Sequence, residues 1–206
     1  MAARTFNDPP FGVDEHALAG ARAATARAEP GEQVVLLGVD GRPVGTAEKS
    51  EVHTASTPLH LAFSCHILSA DGQVLVTRRA LGKRTWPGVW TNSVCGHPAP
   101  GETFGEAVAR RAEHELGLEI SDVVVALPDF RYRATDASGV VENELCPVFT
   151  ARTAGTPRAN REEVMDLAWV EPQDLARAVT AAPWALSPWL SAHAPDLPLL
   201  RPGARP

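Results

Sequence analysis

Residues 96–118 read GHPAPGETFGEAVARRAEHELGL, and this stretch predicts a loop followed by one well-defined helix. Thr103 and Glu106 stand three positions apart, which is the capping-box pattern that starts a helix. Gly117 supplies the residue type with which helices commonly end. The apolar residues recur at helical spacing and predict one buried face, formed by Ala107, Val108, Ala112 and Leu116.

The same stretch fits the frame G-x5-E-x7-R-E-U-x-E-E-x-G-U, where U is an aliphatic residue. The fitting residues are Gly96, Glu102, Arg110, Glu115, Gly117 and Leu118. This pattern resembles the Nudix box, in which carboxylates one helical turn apart hold a divalent cation against a diphosphate. Arg111 and His114 stand where Nudix hydrolases have glutamates, and Ala112 is small for an aliphatic position. The stretch therefore predicts a Nudix fold without the acidic cluster that hydrolysis needs.

The flanking segments predict strands, most of them joined by hairpins, and an organisation in three parts. The predicted strands cover residues 33–39, 44–49, 60–68, 74–79, 122–133, 140–151 and 166–170, and two short helices follow. We expect an α/β (α+β) fold in which a Nudix-like mixed β-sheet is sandwiched between helices. Residues 1–30 are expected to form an N-terminal extension of weak helical propensity, 31–195 the Nudix-like domain, and 196–206 an irregular Pro-rich tail.

Composition excludes several classes of protein. The 206 residues are 44% hydrophobic and 21% charged, which rules out wholesale disorder. A formal charge of −6 argues against a general nucleic-acid binder. No apolar run approaches the roughly 20 residues that span a bilayer, and the three cysteines form no CxxC pair, which is typical of a reducing compartment. We expect a cytoplasmic monomer that binds neither nucleic acid nor a membrane.

A second set of residues, outside the helix, has the chemistry of a metal site. Three histidines and two glutamates from separate segments would converge into a set of nitrogen and oxygen ligands: His53, His60, His97, Glu142 and Glu144. Such a mixed set suits Mn, Mg or Zn. Alone, each histidine is more often a surface or core residue than a ligand, and a Glu-x-Glu pair is usually a solvated strand face. The hypothesis depends on their combination.

Six strings together make the chain similar to the type I isopentenyl-diphosphate isomerases of the Nudix superfamily. They are LHLAFS, TRRAL, WPGVWTNSVCGHP, PDFRYRATD, GVVENELCPVF and SPW, within residues 34–189. The resemblance implies interconversion of isopentenyl and dimethylallyl diphosphate in isoprenoid biosynthesis, by a 1,3-allylic proton shift through a carbocation. It also implies that residues 31–195 form an isomerase domain.

The resemblance assigns roles to four residues in proton transfer and charge stabilisation. Cys95 and Glu144 are implied to be the two proton-transfer groups, with Tyr132 hydrogen-bonded near the glutamate. An ordinary thiol has a pKa of about 8.5 and exchanges protons near neutrality. Trp189 matches the tryptophan of the family's pocket, whose π-face stabilises a cation.

The resemblance also implies two metal ions and a basic diphosphate site. One divalent metal, Mn, Mg or Zn, would occupy the site of three histidines and two glutamates. One Mg²⁺ would be held by Glu115 together with the substrate diphosphate. Lys49, Arg79 and Lys83 match the family's basic residues for the diphosphate.

The sequence also fits two other functions and two other roles for Cys95. The chain would otherwise be a Nudix-type diphosphohydrolase, which Arg111 and His114 disfavour, or a non-catalytic ligand-binding Nudix domain. Cys95 would otherwise be a buried small hydrophobe or a covalent nucleophile paired with His97. The nucleophile hypothesis is disfavoured because His97 is expected to bind metal, and a metal-bound imidazole is a poor general base.

Overall fold

A computed structural model describes residues 32–201 and residue 203 of the chain. The strands are β1 (Gln33–Leu37), β2 (Pro43–Glu48), β3 (His60–Leu61), β4 (Phe63–Leu68), β5 (Val74–Arg79), β6 (Trp90–Thr91), β7 (Val94–Gly96), β8 (Ser121–Leu127), β9 (Arg131–Thr135), β10 (Val141–Leu145), β11 (Val148–Arg152) and β12 (Val164–Val170). The helices are α1 (Lys49–Val52), α2 (Phe104–Leu116), α3 (Pro172–Ala181) and α4 (Pro188–His193). Short 3-10 turns follow at Pro183–Ala185, Ala194–Asp196 and Pro198–Leu200.

The strands form two mixed sheets. The first has the order β2-β1-β3-β10-β9, and the second has the order β12-β5-β4-β11-β8, with β6 paired to β5 and β7 paired to β4. The pairs β3–β10 and β4–β11 are parallel, and the other pairs are antiparallel. The predicted fold class is confirmed, with two mixed sheets in place of one.

Helix α2 forms where the sequence predicts it. The Thr103 hydroxyl accepts a hydrogen bond from the Glu106 amide at 3.3 Å, and the Glu106 carboxylate accepts one from the Thr103 amide at 2.9 Å. Gly117 ends the helix at φ 59°, in the left-handed region that favours glycine. The four residues of the predicted apolar face, Ala107, Val108, Ala112 and Leu116, are fully buried. They pack in one core with residues of β4. Local signals alone thus determine this helix.

Three of the predicted strands are wrong as single elements, because each is divided in the structure. Residues 60–68 split at Ala62 into β3 and β4, and residues 140–151 split into β10 and β11, with the halves in different sheets. Residues 122–133 likewise divide into β8 and β9. Both faces of β4 are covered, so its residues are apolar without alternation, and periodicity cannot reveal a break in such a run.

The second sheet lies between helices. Helix α2 packs on one face, through the side chains of Phe63 and Ile67 on β4. Helices α3 and α4 pack on the other, together with the 3-10 turns near the carboxyl end. Leu197 and Leu200, which lie in the predicted tail, are buried in this core. The predicted extension at 1–30 lies outside the described residues, and the domain boundaries stay predictions.

A buried pair of imidazoles joins β4 to α4. The Nε2 atoms of His66 and His193 lie 2.8 Å apart, and both side chains are fully buried. Burial lowers the pKa of His66 to about 4 and that of His193 well below its usual range. Both imidazoles are therefore neutral in the folded protein at neutral pH, and one donates its hydrogen to the other.

This pair predicts that stability falls as the pH is lowered below 6.5. The unfolded chain then binds protons that the folded chain does not, so the free energy of unfolding should fall by about 1.4 kcal/mol per pH unit for each imidazole. Urea unfolding at pH 7, 6 and 5 measures the slope. The double variant His66→Asn/His193→Asn lacks both groups and should show a flatter pH dependence. Equal slopes in the two proteins would contradict this origin of the pH dependence.

Candidate active site

Most of the predicted site residues face one cavity between the two sheets. The cavity has a volume of about 480 Å³. Ten of the twelve predicted residues line it, namely Lys49, His53, Arg79, Lys83, Cys95, His97, Tyr132, Glu142, Glu144 and Trp189. Of the other two, His60 is fully buried beside Glu144, and Glu115 lines a smaller neighbouring cavity. Segments distant in the sequence therefore converge.

Strand pairing brings the histidines to one carboxylate. His60 on β3 lies directly opposite Glu144 on the parallel strand β10. The Nε2 atoms of His60 and His97 lie 3.5 and 3.2 Å from the same carboxylate oxygen, Oε1 of Glu144. His53 follows α1 and completes the cluster, because one ligand atom from each of the four side chains lies within 4.8 Å of the others.

The cluster has the donor set of a divalent-metal site. The Nε2 atoms of His53 and His60 and Oε2 of Glu142 are buried without a hydrogen-bond partner. Oε2 of Glu142 lies 3.0 Å from Nε2 of His53. Nδ1 of His60 donates to the carbonyl of Pro58 at 3.0 Å, which leaves the Nε2 lone pair directed at the cluster. Unpartnered buried polar atoms are costly, and a cation bound in the cluster would satisfy the two imidazole nitrogens. Glu142 lies beside the cluster through His53 and is not one of its four side chains.

The predicted box residues hold the loop that carries His97. Arg110 donates to both carboxylate oxygens of Glu102 at 2.7 Å, and Glu102 also accepts a hydrogen bond from the amide of Ala99. Arg110 donates a further hydrogen bond to the His97 carbonyl at 3.2 Å. A Cβ atom at Gly96 would lie 2.9 Å from Cγ of Arg111, so only glycine fits there without a shift. Glu102 and Arg110 therefore brace the loop.

Cys95 lies on β7 with its sulfur among polar neighbours. It pairs with Ser64 of β4, and its Sγ lies 3.5 Å from the Ser64 hydroxyl and 3.2 Å from Nδ2 of Asn92. Burial raises the pKa of the Cys95 thiol to about 11, although the hydrogen bonds with Ser64 and Asn92 lower it. The sulfur is therefore a protonated thiol at neutral pH, with a smaller thiolate fraction than an unperturbed cysteine would have.

Aromatic rings wall the part of the cavity next to Glu144. Tyr132 on β9 is the cross-strand partner of Glu144, so the two side chains share a face of the sheet. Its ring centroid lies 5.9 Å from that of Trp189, and the Trp86 ring meets Trp189 edge-on at 5.6 Å. Burial raises the pKa of Tyr132 well above its usual range, so its hydroxyl is available as a hydrogen-bond donor.

Comparison with known proteins agrees with this geometry. Residues 58–190 match the family described as NUDIX domain. The chain is 65% identical over 173 residues to a protein of Agromyces mediolanus named isopentenyl-diphosphate Delta-isomerase, covering 84% of each chain. It is 64% identical over 159 residues to a protein of the same name from Kocuria rhizophila, covering 77% of this chain and 88% of the other. This chain belongs to the isopentenyl-diphosphate Delta-isomerase family.

The fold of this isomerase-family chain also occurs among solved structures. A protein from Deinococcus radiodurans superposes with a TM-score of 0.61 at 20% identity, covering 81% of this chain and 99% of that one. At this identity the match shows the fold alone. None of the helices in the described ranges is long and apolar enough to cross a bilayer.

Arg79 of the isomerase-family chain lies beside the aromatic wall. Its guanidinium carbon is 5.3 Å from the centroid of the Trp189 ring, within the range of a cation–π contact. Its Nη2 donates to the carbonyl of Thr85 at 2.8 Å, and its Nε donates to the carbonyl of Trp86 at 3.1 Å. The face of Trp189 thus already stabilises a positive charge within the protein.

The two predicted lysines also line the cavity, each beside a carboxylate. Nζ of Lys49 donates to Oε2 of Glu32 at 2.8 Å, and Nζ of Lys83 donates to Oε2 of Glu163. Burial lowers the pKa of Lys83 to about 8. Together with Arg79, they are three of the five lysine and arginine side chains that line the cavity, the others being Arg84 and Arg111.

Glu115 and Arg111 form an ion pair that the sequence analysis did not predict. Nη2 and Nε of Arg111 donate to Oε1 of Glu115 at 2.6 and 2.9 Å, and both side chains are buried. Arg111 also lies 3.3 Å from Oε1 of Glu163 and lines the main cavity. The departure of residue 111 from the Nudix frame was the signal for this pair. The arginine replaces a box glutamate and pairs with Glu115, which the frame retains.

Two further residues support the site and were missed by sequence reasoning. Thr85 donates from its hydroxyl to Oε1 of Glu142 at 2.8 Å and so fixes that carboxylate. Asn92 is fully buried and contacts Cys95. The string WTNSVCGHP contains Asn92 and would have identified it, whereas nothing local distinguishes Thr85.

Proposed function

We propose that this protein interconverts isopentenyl diphosphate and dimethylallyl diphosphate in isoprenoid biosynthesis, by a 1,3-allylic proton shift through a carbocation. The observation that carries the proposal is that Cys95 and Glu144 line one cavity, together with aromatic rings and five lysine and arginine side chains. Family membership supports the same activity, since the relatives at 64–65% identity are named isopentenyl-diphosphate Delta-isomerase.

The reaction requires two proton-transfer groups and a counter to positive charge. An isolated alkene is a very weak base, so protonation creates a tertiary carbocation, and loss of a different allylic proton moves the double bond. Cys95 and Glu144 are the two proton-transfer groups. Tyr132, the cross-strand partner of Glu144, is proposed to act as a hydrogen-bond donor beside its carboxylate. The π-face of Trp189 stabilises the cation by about 1–2 kcal/mol when water is excluded.

The metal would be held by the histidine cluster with its carboxylates. We infer that His53, His60, His97, Glu142 and Glu144 bind one divalent ion, which is Mn, Mg or Zn. The unpartnered Nε2 and Oε2 atoms described above support this set. When bound, the ion supplies positive charge that fixes the orientation of Glu144 and lowers its proton affinity.

The diphosphate is proposed to bind beside the basic side chains that line the cavity. Lys49, Arg79 and Lys83 supply charge and hydrogen bonds to its oxygens. A Mg²⁺ ion is proposed to bind the diphosphate together with Glu115. Because Arg111 already pairs with that carboxylate, Glu115 would hold Mg²⁺ either alongside the guanidinium or in its place.

We further propose that the protein acts as a cytoplasmic monomer on this small-molecule substrate, without a nucleic-acid or membrane partner. The formal charge of −6 supports the absence of nucleic acid. Its three cysteines are free, as in proteins of a reducing compartment.

Incubation of the purified protein with isopentenyl diphosphate and Mg²⁺ tests the function. We expect dimethylallyl diphosphate to accumulate, with deuterium incorporated from D2O, because each turnover exchanges a proton. Release of inorganic phosphate without isomer would favour the diphosphohydrolase. Saturable substrate binding without any product would favour a non-catalytic ligand-binding domain, and either result would overturn the isomerase.

Glu115→Gln separates the two metal sites. The variant should raise KM and the Mg²⁺ concentration needed for half-maximal rate by about 10-fold, by comparison with other disturbed metal sites. The metal content of the histidine site should not change, because Glu115 lies outside that cluster. Glu113→Gln alters an exposed neighbour on the same helix and should leave both constants unchanged. Loss of the histidine-site metal in Glu115→Gln would contradict the division into two sites.

A further inference from the structure

Asn92 occupies an unusual position between the short strands β6 and β7. Its side chain is fully buried and its amide is fully engaged. The Nδ2 atom donates to the backbone carbonyls of Val94 at 2.8 Å and Cys65 at 3.1 Å. Carbonyl oxygens only accept hydrogen bonds, so these contacts set which end of the amide carries the nitrogen.

The other end of the amide meets two groups of the proposed reaction. Oδ1 of Asn92 accepts a hydrogen bond from the indole Nε1 of Trp189 at 3.0 Å and from the Thr91 hydroxyl at 3.0 Å. The Cys95 thiol lies 3.4 Å from the same oxygen in donor geometry, and its sulfur lies 3.2 Å from Nδ2. An indole N–H only donates, so Trp189 confirms the amide orientation.

The two groups come from different parts of the fold. Cys95 lies on the three-residue strand β7, and Trp189 lies on the six-residue helix α4. Elements this short have few internal hydrogen bonds of their own, so their relative placement depends on side-chain contacts. The amide of Asn92 is a direct hydrogen-bonded link between them.

We propose that Asn92 is a positioning residue that holds the Cys95 thiol and the Trp189 ring in a fixed relation through one amide. The inference rests on the proposed isomerase function. The proton-transfer group and the ring that faces the cation act on the same five-carbon chain, so an error in their spacing affects the chemical step. Misplacement by about 1 Å can cost about 100-fold in rate. The hydrogen bonds of the Asn92 side chain go to Cys65, Thr91, Val94, Cys95 and Trp189, and none goes to the histidine cluster or the two lysines. Metal and diphosphate binding therefore do not depend on its amide directly.

The test compares Asn92→Ala with a matched neighbour, Ser93→Ala. Ser93 is also fully buried, donates to the Leu75 carbonyl at 2.6 Å and accepts from the Ile67 amide at 2.7 Å. These hydrogen bonds stabilise the same segment, but the Ser93 side chain makes no hydrogen bond to Cys95 or Trp189. We expect Asn92→Ala to lower kcat about 100-fold, with KM and metal content within about threefold of the unmodified protein. Ser93→Ala should lower the melting temperature while keeping kcat within about threefold.

The indole N–H resonance of Trp189 gives a signature that a general loss of stability would not move. The chain has five tryptophans, and Trp189→Phe identifies the resonance in a ¹H–¹⁵N spectrum of the folded protein. In Asn92→Ala the indole proton should shift upfield and exchange faster with solvent, because its acceptor is gone. In Ser93→Ala it should keep its position.

A second pair of variants keeps the test valid if Asn92→Ala does not fold. Asn92→Asp retains the size of the side chain and an oxygen at the Oδ1 position. Its second oxygen faces the carbonyls of Val94 and Cys65, so the buried carboxyl group is expected to be protonated and to donate to one of them. Asn92→Ser is polar but too short to reach both Cys95 and Trp189. We expect Asn92→Asp to keep the indole resonance and at least about 10 times the kcat of Asn92→Ser, in line with the steep dependence of rate on placement.

Specific results would overturn the positioning role. They are equal kcat in Asn92→Ala and Ser93→Ala, equal kcat in Asn92→Asp and Asn92→Ser, or a fall in kcat with an unmoved indole resonance. The unmodified protein is measured in the same assay. If it forms no dimethylallyl diphosphate, the proposed function is wrong. If it is active and its kcat does not change when Asn92 is substituted, only the positioning role is wrong.

Discussion

Cys95→Ala is expected to lower kcat by about 1,000-fold, because it removes one of the two proton-transfer groups from the reaction. Cys65 does not replace it, since the Cys65 side chain packs in the core on the α2 side of the sheet. The fold and the metal content should be unchanged, because Cys95 is not a member of the histidine cluster. Steady-state turnover, thermal unfolding and metal analysis of the purified variant measure the three quantities.

Cys65→Ala is the matched control for this substitution. Cys65 is fully buried on the adjacent strand β4, so alanine removes a thiol of the same size from the same region. The control should lose some stability through the cavity that alanine leaves, and it should keep most of its turnover. Near-normal turnover in Cys95→Ala would show that the sulfur takes no part in the chemical step.

His60→Ala is expected to have the second large effect, a loss of metal affinity of about 100-fold and with it most of the activity. His60 is fully buried, its Nδ1 is fixed by the Pro58 carbonyl, and its Nε2 faces Glu144. Alanine removes a preoriented ligand and leaves three of the four side chains of the cluster. Competition with a chelator of known affinity measures the change.

His114→Ala provides the comparison for the metal experiment. His114 is half exposed on α2 and lies 3.4 Å from Glu163, outside the histidine cluster. Its replacement removes an imidazole with no expected change in metal content or turnover. If His60→Ala bound metal as tightly as His114→Ala, the cluster would not be the metal site and its unpartnered nitrogens would need another explanation.

Sequence reasoning succeeded where the determining interactions are local. The α2 helix begins at a capping box, ends at a glycine with positive φ and has its apolar residues at helical spacing. All of these signals lie within one stretch of chain, so the helix could be predicted residue by residue. The fold class followed from this helix and from the alternation of strands and turns around it.

The ends of the strands could not be predicted from the sequence as the ends of α2 could, and the reason is physical. Residues 140–151 are mostly apolar and were predicted as one strand, but the chain passes from one sheet to the other at Cys146 and Pro147. Proline lacks the amide that a continuous ladder needs. Its carbonyl instead accepts a hydrogen bond from the amide of Ser64, on a strand far away in sequence. That distant contact decides where the strand ends.

The sequence by itself determined the loop and helix of residues 96–118, and its strings named the candidate site residues. Only the tertiary structure decided how those residues meet. Parallel pairing of β3 with β10 places His60 opposite Glu144, and the position of α4 brings Trp189 to the Asn92 amide. The tertiary structure also decided that Glu115 is paired with Arg111. These contacts join segments by packing and strand register, which depend on the whole fold and leave no local periodicity in the chain.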